Sequence, residues 1–332
     1  MKYSNKLFLI LFPFLLLIGA CKDDDTTPIQ PTPVNEAELL VKELEGATLG
    51  DYLNTTCPAI ITAQLVYEDL NGPKKFYIID IRAAADYAKG HIAGAINVQI
   101  PDILTHMKTV NVAAYDKIII ACYSGQSAAF TTAILRMSGY NTVYSMKYGM
   151  TSWHADFDKI TTKISSDETT WFTDAVTQKA AAGDLPKLTT GKTNGADILK
   201  DRISAVLTDG WSKASIDKSV VKADPTQYYI VNYWPLADYT AMKHIPGAIQ
   251  YTPKADLKLS TFLKTLPTNK PIVVYCYTGQ TSGNVVAILR AMGYDARSLS
   301  FGTNAMIWQS LKDNNKNPFN ATSDVMNFPY VK

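Results

Sequence analysis

The chain of 332 residues carries 32 Lys and Arg against 30 Asp and Glu, and its formal net charge of +2 is spread without a basic stripe. This balance argues against a nucleic-acid partner, because nucleic-acid-binding proteins concentrate positive charge on one face. The length and a 47% content of hydrophobic residues are enough for about two globular domains and an appendage.

The N-terminus has the composition of a signal peptide. Lys2 and Lys6 precede the apolar run Leu7–Ile18, which is too short for an ordinary membrane span. We therefore predict that residues 1–20 are not part of the fold. The four residues that end at Cys21, Ile-Gly-Ala-Cys, resemble the lipobox of bacterial lipoproteins. The resemblance implies cleavage before Cys21 and acylation of this cysteine; the alternative is a plain secretory signal with an unrelated cysteine.

A polar segment, residues 21–35, follows and is predicted to be a linker. The run Asp23–Asp25 is similar to surface-export signals of some Gram-negative lipoproteins, and the alternative is a solvated tether. Three prolines keep such a linker extended and hold the domains off the membrane. We therefore expect a protein of the Gram-negative cell envelope that is lipid-anchored to the outer membrane, on its periplasmic side or on the cell surface.

The first domain is predicted over residues 36–160. Helical periodicity within residues 36–70 indicates one or more helices that lead into it. Cys57 lies in a loop-like piece and is interpreted as a structural or incidental thiol, with a disulfide to a later cysteine as the less favoured alternative. Phe76–Ile81 is then predicted to be a buried strand.

One stretch occurs twice and organises the sequence. Lys117–Gly139 and Pro271–Gly293 align from end to end without a gap. In each copy, an apolar run typical of a doubly buried parallel strand ends in a cysteine, Cys122 or Cys276. A tight loop with a glycine follows, and then a helical apolar pattern, which in the second copy places Arg290 on the outward face.

A cysteine in this setting has a chemical consequence. Free N–H groups of the loop and of the first helical turn point into the hollow of the loop, and the helix dipole adds partial positive charge there. The thiols of Cys122 and Cys276 should therefore ionise at a lower pH than a free thiol. The hollow is predicted to bind an anion through the residues that form it, Tyr123, Ser124, Gly125, Gln126 and Ser127 in the first copy and Tyr277, Thr278, Gly279, Gln280 and Thr281 in the second.

Further motifs occur in the same order in both copies. Around the first loop they are Ala85–Tyr87, Gly90–Ile96 and Tyr148–Trp153, and around the second they are Ala237–Tyr239, His244–Ile249 and Phe301–Gly302. Because it carries these motifs twice at one period, the chain resembles the rhodanese (sulfurtransferase) family in two tandem copies. The resemblance implies an α/β fold of two tandem rhodanese-like domains, each a central, mainly parallel sheet flanked by helices.

The resemblance also implies an activity. Cys122 or Cys276 would take sulfane sulfur from a small sulfur-containing anion such as thiosulfate or 3-mercaptopyruvate, become a persulfide, and pass the sulfur to a thiol or cyanide acceptor. No cofactor is implied, and the sequence has no CxxC or HExxH pattern that would indicate a metal site. The hydroxyl groups of both loops either bond the sulfur or anion or cap the loops.

The family pattern gives roles to four residues outside the loops. Asp80 and Arg82 lie, by the resemblance, at the edge of the active-site pocket, where Arg82 either binds an anionic substrate or forms a salt bridge with an acidic neighbour. His91 and His244 are candidate bases, but the family uses this histidine mainly as a structural hydrogen-bonding residue.

The sequence also departs from the family pattern. Tyr123 and Tyr277 stand where many members carry Arg or Lys, and Asn232 and Trp234 replace the Asp and Arg in the second copy. Anion binding there is therefore open, and Trp234 indicates an apolar or stacking contact. The alternative to an enzyme is a non-catalytic rhodanese-fold binding or scaffold lipoprotein. A cysteine phosphatase is disfavoured because its phosphate-binding arginine position holds Ala or Ser here.

The remaining segments connect and close the domains. Residues 161–195 are predicted to be an interdomain connector with some helix, and residues 196–312 the second domain, opened by a helix over Ile198–Leu207. Residues 313–332 are predicted to be a polar tail on the surface, for which the expected anchors are Phe319, Phe328 and Tyr330.

Overall fold

The computed structural model describes residues 35–332. The predicted signal peptide, Cys21 and the linker up to residue 34 lie outside the described residues, so their roles stay predictions. None of the helices in the described part is long and apolar enough to cross a membrane.

The first half of the described chain alternates helices and short strands. Asn35 caps the first helix, because its side chain accepts the N–H of Glu38 at 3.1 Å. In chain order the elements are α1 (Glu36–Glu45), α2 (Tyr52–Thr55), β1 (Ile60–Ile61), α3 (Ala63–Leu70), β2 (Phe76–Asp80), α4 (Ala84–Tyr87), β3 (Ile96–Asn97), α5 (Ile103–Met107), β4 (Lys117–Ala121), α6 (Gln126–Met137), β5 (Val143–Met146) and α7 (Gly149–Trp153).

The second half repeats this pattern after a long connector. Its first helix is longer than predicted and has non-helical dihedral angles at Gly210. The elements are α8 (Gly195–Ala214), β6 (Ser215–Ile216), α9 (Lys218–Ala223), β7 (Tyr229–Asn232), α10 (Leu236–Ala241), β8 (Ile249–Gln250), β9 (Ile272–Tyr275), α11 (Gln280–Ala291), β10 (Ala296–Leu299), α12 (Trp308–Asp313) and α13 (Ala321–Asp324).

Each half builds a five-stranded sheet in which every strand pair is parallel. The strand order is β1-β5-β4-β2-β3 in the first sheet and β6-β10-β9-β7-β8 in the second, so the two sheets share one topology. The central strands β4 and β9 are buried from Ile118 and Ile272 onward, as continuous apolar runs require. The predicted fold class of two tandem α/β domains is confirmed.

The two twelve-residue helices that follow the cysteines are almost completely buried. Every residue of α6 except Ser127, and every residue of α11 except Thr281, is buried. The reason is that α6 and α11 pack against each other as well as against their own sheets. The prediction that Arg290 faces outward is therefore wrong: its guanidinium is enclosed and donates to the carboxylate of Asp209 and the carbonyl of Ala296.

The connector contains no helix, contrary to the prediction. Residues 161–194, all described, run in turns and extended chain along the second domain. Thr173 bridges to His244 and Thr177 to Ile249, beside the edge strand β8. These bonds satisfy backbone groups that a helix would have satisfied internally. They also cover the edge of the second sheet at β8, which would otherwise be open to solvent.

The C-terminal tail crosses back to the first domain. Phe319 is fully buried, and Phe328 stacks on Tyr67 with ring centroids 4.0 Å apart. The N–H of Phe328 bonds the carbonyl of Trp153 at 2.9 Å, and Val331 forms a two-bond bridge with His91. The tail is thus anchored by the aromatic residues that the sequence indicated, and it serves as a strap between the halves.

Candidate functional site

The first cysteine loop places a sulfur atom at the N-terminus of a long buried helix. Strand β4 ends at Ala121, Cys122 follows, and α6 begins at Gln126. The turn between them needs Gly125, which has a φ of 80° that disfavours any residue with a side chain. Cys122 Sγ accepts the N–H of Gly125 at 3.1 Å and the N–H of Ala128 at 3.4 Å. The predicted amide cradle therefore exists around this sulfur.

The second loop has the same backbone but a different sulfur environment. Cys276 Sγ accepts the N–H of Ser282 at 3.4 Å and lies 3.5 Å from the Oγ of the same residue. That hydroxyl is also 2.8 Å from the Oγ of Ser298. Cys276 is 2% exposed and Cys122 is 4% exposed, so both sulfurs lie deep in their loops. One amide and one shared hydroxyl replace the two amides of the first copy.

A glycine turn after the next strand supports each cysteine from behind. The N–H of Met150 bonds the carbonyl of Cys122 at 2.7 Å, and the N–H of Thr303 bonds the carbonyl of Cys276 at 3.0 Å. A Cβ at Gly149 would overlap the carbonyl oxygen of Cys122. The close backbone approach that the glycine allows therefore fixes the cysteine backbone.

The two loop glutamines point across the interface between the domains. Gln280 Oε1 accepts the N–H of Tyr148 at 3.1 Å, and Gln126 Oε1 accepts the N–H of Phe301 at 2.7 Å. Gln126 also donates from Nε2 to the Oγ of Ser124 at 3.0 Å. The two glutamines predicted to bind an anion thus have their side-chain oxygens engaged with the opposite domain.

The loop hydroxyls are split between the two roles considered. Thr278 Oγ1 accepts the N–H of Gln280 at 3.3 Å, which is a capping contact. Ser124 accepts from its glutamine neighbour, while Ser127 and Thr281 are partly exposed on the first turns of their helices. The latter two hydroxyls remain the better placed for a ligand.

The tyrosine after each cysteine packs against charged or aromatic side chains. The ring of Tyr123 lies 5.0 Å from the guanidinium carbon of Arg82 and 5.5 Å from Nζ of Lys159, within cation–π range. In the second copy, Trp234 stacks on Tyr277 with centroids 4.9 Å apart. The stacking contact expected of Trp234 is thus made inside the protein.

Arg82 and Asp80 form a buried bidentate pair. Arg82 Nε lies 3.0 Å from both carboxylate oxygens, and Nη2 lies 2.7 Å from Oδ2 and from the carbonyl of Gly90. Both side chains are 1% exposed. Burial by itself would lower the pKa of Arg82, but the hydrogen bonds and charge of Asp80 outweigh it and raise that pKa. Of the two roles predicted for Arg82, the geometry supports the salt bridge.

The two motif histidines and Cys57 have structural surroundings. His91 stacks on Tyr87 and His244 on Tyr239, each with centroids 3.7 Å apart. Burial raises the pKa of Cys57 to about 12, so this thiol stays protonated near neutral pH. Among the described residues, no three His, Cys, Asp or Glu side chains cluster as metal ligands would.

Three residues at the sites had no role assigned to them from the sequence. Tyr148 and Phe301 hold equivalent positions before the two glycine turns, and both have positive φ, 58° and 61°. Lys316 of the tail lies 2.8 Å from Asp238, which accepts the hydroxyl of Tyr277. The period of the repeat marks the first two, but no local signal marks the lysine.

The comparison with family models agrees with this architecture. A model described as the rhodanese-like domain matches residues 62–156 and 218–307, which is more than half of the chain. Each matched region contains one cysteine loop and four strands of one parallel sheet, so the protein belongs to the rhodanese-like family as a tandem pair.

Individual relatives resemble single regions of the chain. It is similar to the thiosulfate sulfurtransferase GlpE of Pseudomonas fluorescens, at 34% identity over 80 residues, 24% of this chain and 72% of that protein. The protein of the same name in Ectopseudomonas mendocina is 33% identical over 94 residues, 27% of this chain and 81% of that one. A solved thiosulfate sulfurtransferase from Pseudomonas aeruginosa covers 82% of this chain and 47% of its own, at 17% identity and a TM-score of 0.30.

Proposed function

We propose that this protein is a sulfurtransferase that moves sulfane sulfur through a cysteine persulfide, with Cys122 as the principal nucleophile. The observation that carries the proposal is the pair of amides, from Gly125 and Ala128, aimed at Cys122 Sγ from the N-terminal turn of α6. Such donors and the helix dipole stabilise a thiolate and a persulfide anion alike. The family and the names of its relatives support the same reaction class.

The reaction divides into two displacements at sulfur. In the first, the Cys122 thiolate attacks the outer sulfur of thiosulfate, an S–S bond forms to the protein, and the S–S bond of the donor breaks with its electron pair leaving on sulfite. In the second, cyanide or a thiolate attacks the terminal sulfur, and the electron pair of the broken S–S bond restores the Cys122 thiolate. The loop amides hold negative charge on sulfur at every stage.

The choice of donor depends on how its anionic part is bound. Thiosulfate and 3-mercaptopyruvate both present a negative group next to the reacting sulfur. The first loop has no basic side chain, so its N–H groups and the partly exposed hydroxyl of Ser127 are the donors we assign to that group. Lys159, exposed beside the ring of Tyr123, adds positive charge at the edge of the loop.

Single cysteine replacements test the assignment. With thiosulfate and cyanide, the unaltered protein should form thiocyanate and gain the mass of one sulfur atom on the peptide that contains Cys122. Cys122→Ser should lower turnover at least about a hundredfold, because the covalent step is lost. Cys276→Ser is the matched control and should retain most of the activity. Equal losses in both variants would contradict the primacy of Cys122, and no thiocyanate or sulfur gain with several donors would contradict the function.

A binding role is the second candidate, and one observation favours it for the second copy. Cys276 Sγ meets only one amide, and the stacked pair of Trp234 and Tyr277 adjoins its loop. A copy that binds without turnover would load no sulfur on Cys276 in the assay above. The scaffold alternative for the whole protein requires that neither cysteine is loaded.

We further propose that the protein is anchored by lipid at Cys21, outside the described residues. The support is the lipobox-like sequence before this cysteine and the linker after it. More than one acyl chain would hold the protein durably, because each buried CH₂ contributes about 0.8 kcal/mol. In a Gram-negative host, labelled palmitate should enter the full chain, and Cys21→Ala should abolish the label and release the protein from the membrane fraction. A Cys21→Ala variant that stays labelled would contradict the anchor.

A further inference from the structure

The two cysteine loops meet at one interface because the helices that follow them pack against each other. Gln126 and Gln280 are the first residues of α6 and α11, and they are 4% and 1% exposed. A buried amide must find hydrogen-bond partners, because water cannot reach it. The role of the two glutamines therefore follows from their hydrogen-bond partners.

Each glutamine oxygen accepts a backbone N–H of the other domain. The bond from Tyr148 to Gln280 joins residues 132 positions apart, and the bond from Phe301 to Gln126 joins residues 175 positions apart. Tyr148 and Phe301 are equivalent in the repeat, so the two bonds form a reciprocal pair. Because the same bond is made from each domain to the other, it is a feature of the repeat and not of a single loop.

The accepted N–H groups belong to the backbone that supports the opposite cysteine. Tyr148 starts the turn in which the N–H of Met150 holds the carbonyl of Cys122 at 2.7 Å. Its φ of 58° is uncommon for a residue with a side chain, so this turn needs external support. Gln280 gives that support from the second domain.

The glutamines also touch the opposite loops directly. A Cβ built on Gly125 would stand 2.5 Å from Oε1 of Gln280, and a Cβ on Gly279 would stand 2.5 Å from Oε1 of Gln126. Gly125 is one of the two amides that bond Cys122 Sγ. The oxygen of Gln280 is therefore packed against the turn that presents this donor.

We propose that Gln280 is a positioning residue for Cys122 and Gln126 is one for Cys276, so that each sulfur site is complete only with the other domain in place. The proposal rests on the sulfurtransferase function and extends it, because it makes the second domain part of the first site. It explains structurally why a second copy accompanies the first even where its own sulfur environment is poorer.

The test measures the reactivity of Cys122 without any sulfur donor. The full chain and its Gln280→Met variant are alkylated with iodoacetamide across a pH series, and the modified Cys122 peptide is quantified by mass spectrometry. Met fills a similar volume but accepts no N–H, so the turn at Tyr148 should loosen. The alkylation profile of Cys122 should then move to higher pH, with a rate at pH 7 about threefold to tenfold lower.

Tyr52→Phe is the matched control. Tyr52 Oη donates to Oδ1 of Asn284 at 2.6 Å, so this buried bond also crosses between the copies, but it supports neither glycine turn. Its removal should leave the Cys122 profile unchanged. Gln280→Asn, which keeps an amide but shortens it by one methylene, is measured in the same way and covers the case in which the Met variant does not fold.

The outcomes separate this proposal from the function on which it rests. A displaced Cys122 profile in the Gln280 variants alone supports the coupling, whether or not thiocyanate is formed. An unchanged profile in a folded Gln280 variant, or an equal displacement in Tyr52→Phe, overturns it. Absence of thiocyanate from the unaltered protein contradicts the sulfurtransferase function but does not alter the alkylation result.

Discussion

The two sulfur sites differ by a few atoms, although their loops align without a gap. Cys122 Sγ has two backbone amides, whereas Cys276 Sγ has one amide and a hydroxyl that Ser298 already engages. In the second copy the hydroxyl of Tyr277 is held by Asp238. Burial is the larger cause and that hydrogen bond the smaller cause of a raised pKa of Tyr277, so the hydroxyl group stays a neutral donor. These differences support the proposal that Cys122 is the principal nucleophile.

The pair of Asp80 and Arg82 gives a prediction for stability. Asp80→Asn leaves the guanidinium of Arg82 buried with a neutral partner, and an uncompensated buried charge is costly. We expect the free energy of unfolding, measured in urea, to fall by about 3–5 kcal/mol.

A surface ion pair provides the control. Lys74 is half exposed where it pairs with Asp69, so Asp69→Asn should change the free energy of unfolding by about 1 kcal/mol or less. If Asp80→Asn cost no more than this control, Arg82 would not depend on its carboxylate, and an anion-binding role for Arg82 would regain support.

At the scale of elements, the tail and the connector tie the halves together in opposite directions. The connector lies along β8 of the second domain, while the tail leaves that domain and bonds α7 of the first. Trp153 of α7 donates from Nε1 to the carbonyl of Pro329 at 2.9 Å. A segment that is polar in composition is held here by a few aromatic contacts and by backbone bonds.

Truncating one aromatic anchor tests the strap. Phe328 lies between Tyr67 and Trp153, with centroid distances of 4.0 Å and 5.2 Å. Because the ring is half-buried, Phe328→Ala should lower the free energy of unfolding by about 1–3 kcal/mol, less than a fully buried phenylalanine would. Phe262→Ala, at a ring that is 44% exposed, should cost clearly less. Equal effects would show that the tail does not stabilise the first domain.

At the scale of the molecule, the two copies share one large buried cluster, and each also has a smaller cluster of its own. Leu40 of α1 and Val286 of α11 belong to the same buried cluster, which continues through α6 and α8. α1, before the first sheet, packs on α8, which opens the second. The predicted domains at 36–160 and 196–312 are therefore separate in the sequence, but their helices pack together in the folded protein. A site that needs both loops is consistent with this shared interior.

Local patterns were enough for the strand, loop and helix around each cysteine and for the helices that lead into the two domains. Apolar runs predicted the central strands, and the motif order predicted the repeat. Gly139 and Gly293 follow their helices with φ of 91° and 102°, a conformation that glycine adopts readily at a helix C-terminus. Local patterns failed at the connector, for which some helix was predicted. Its backbone groups instead bond to residues of the second domain that are distant in the sequence. Local patterns failed also at Arg290, because periodicity separates two helix faces but does not say that a second helix covers the outer one.

The sequence by itself therefore determined that a cysteine follows the central strand of each of two parallel sheets, because strand, loop and helix are specified by neighbouring residues. Only the tertiary structure decided that Arg82 is bound to Asp80, that the tail returns to the first domain, and that each loop glutamine accepts a backbone N–H of the opposite domain. Hydrogen bonds between residues 132 and 175 positions apart leave no periodic trace in the chain, since they depend on which surfaces meet after the two copies fold.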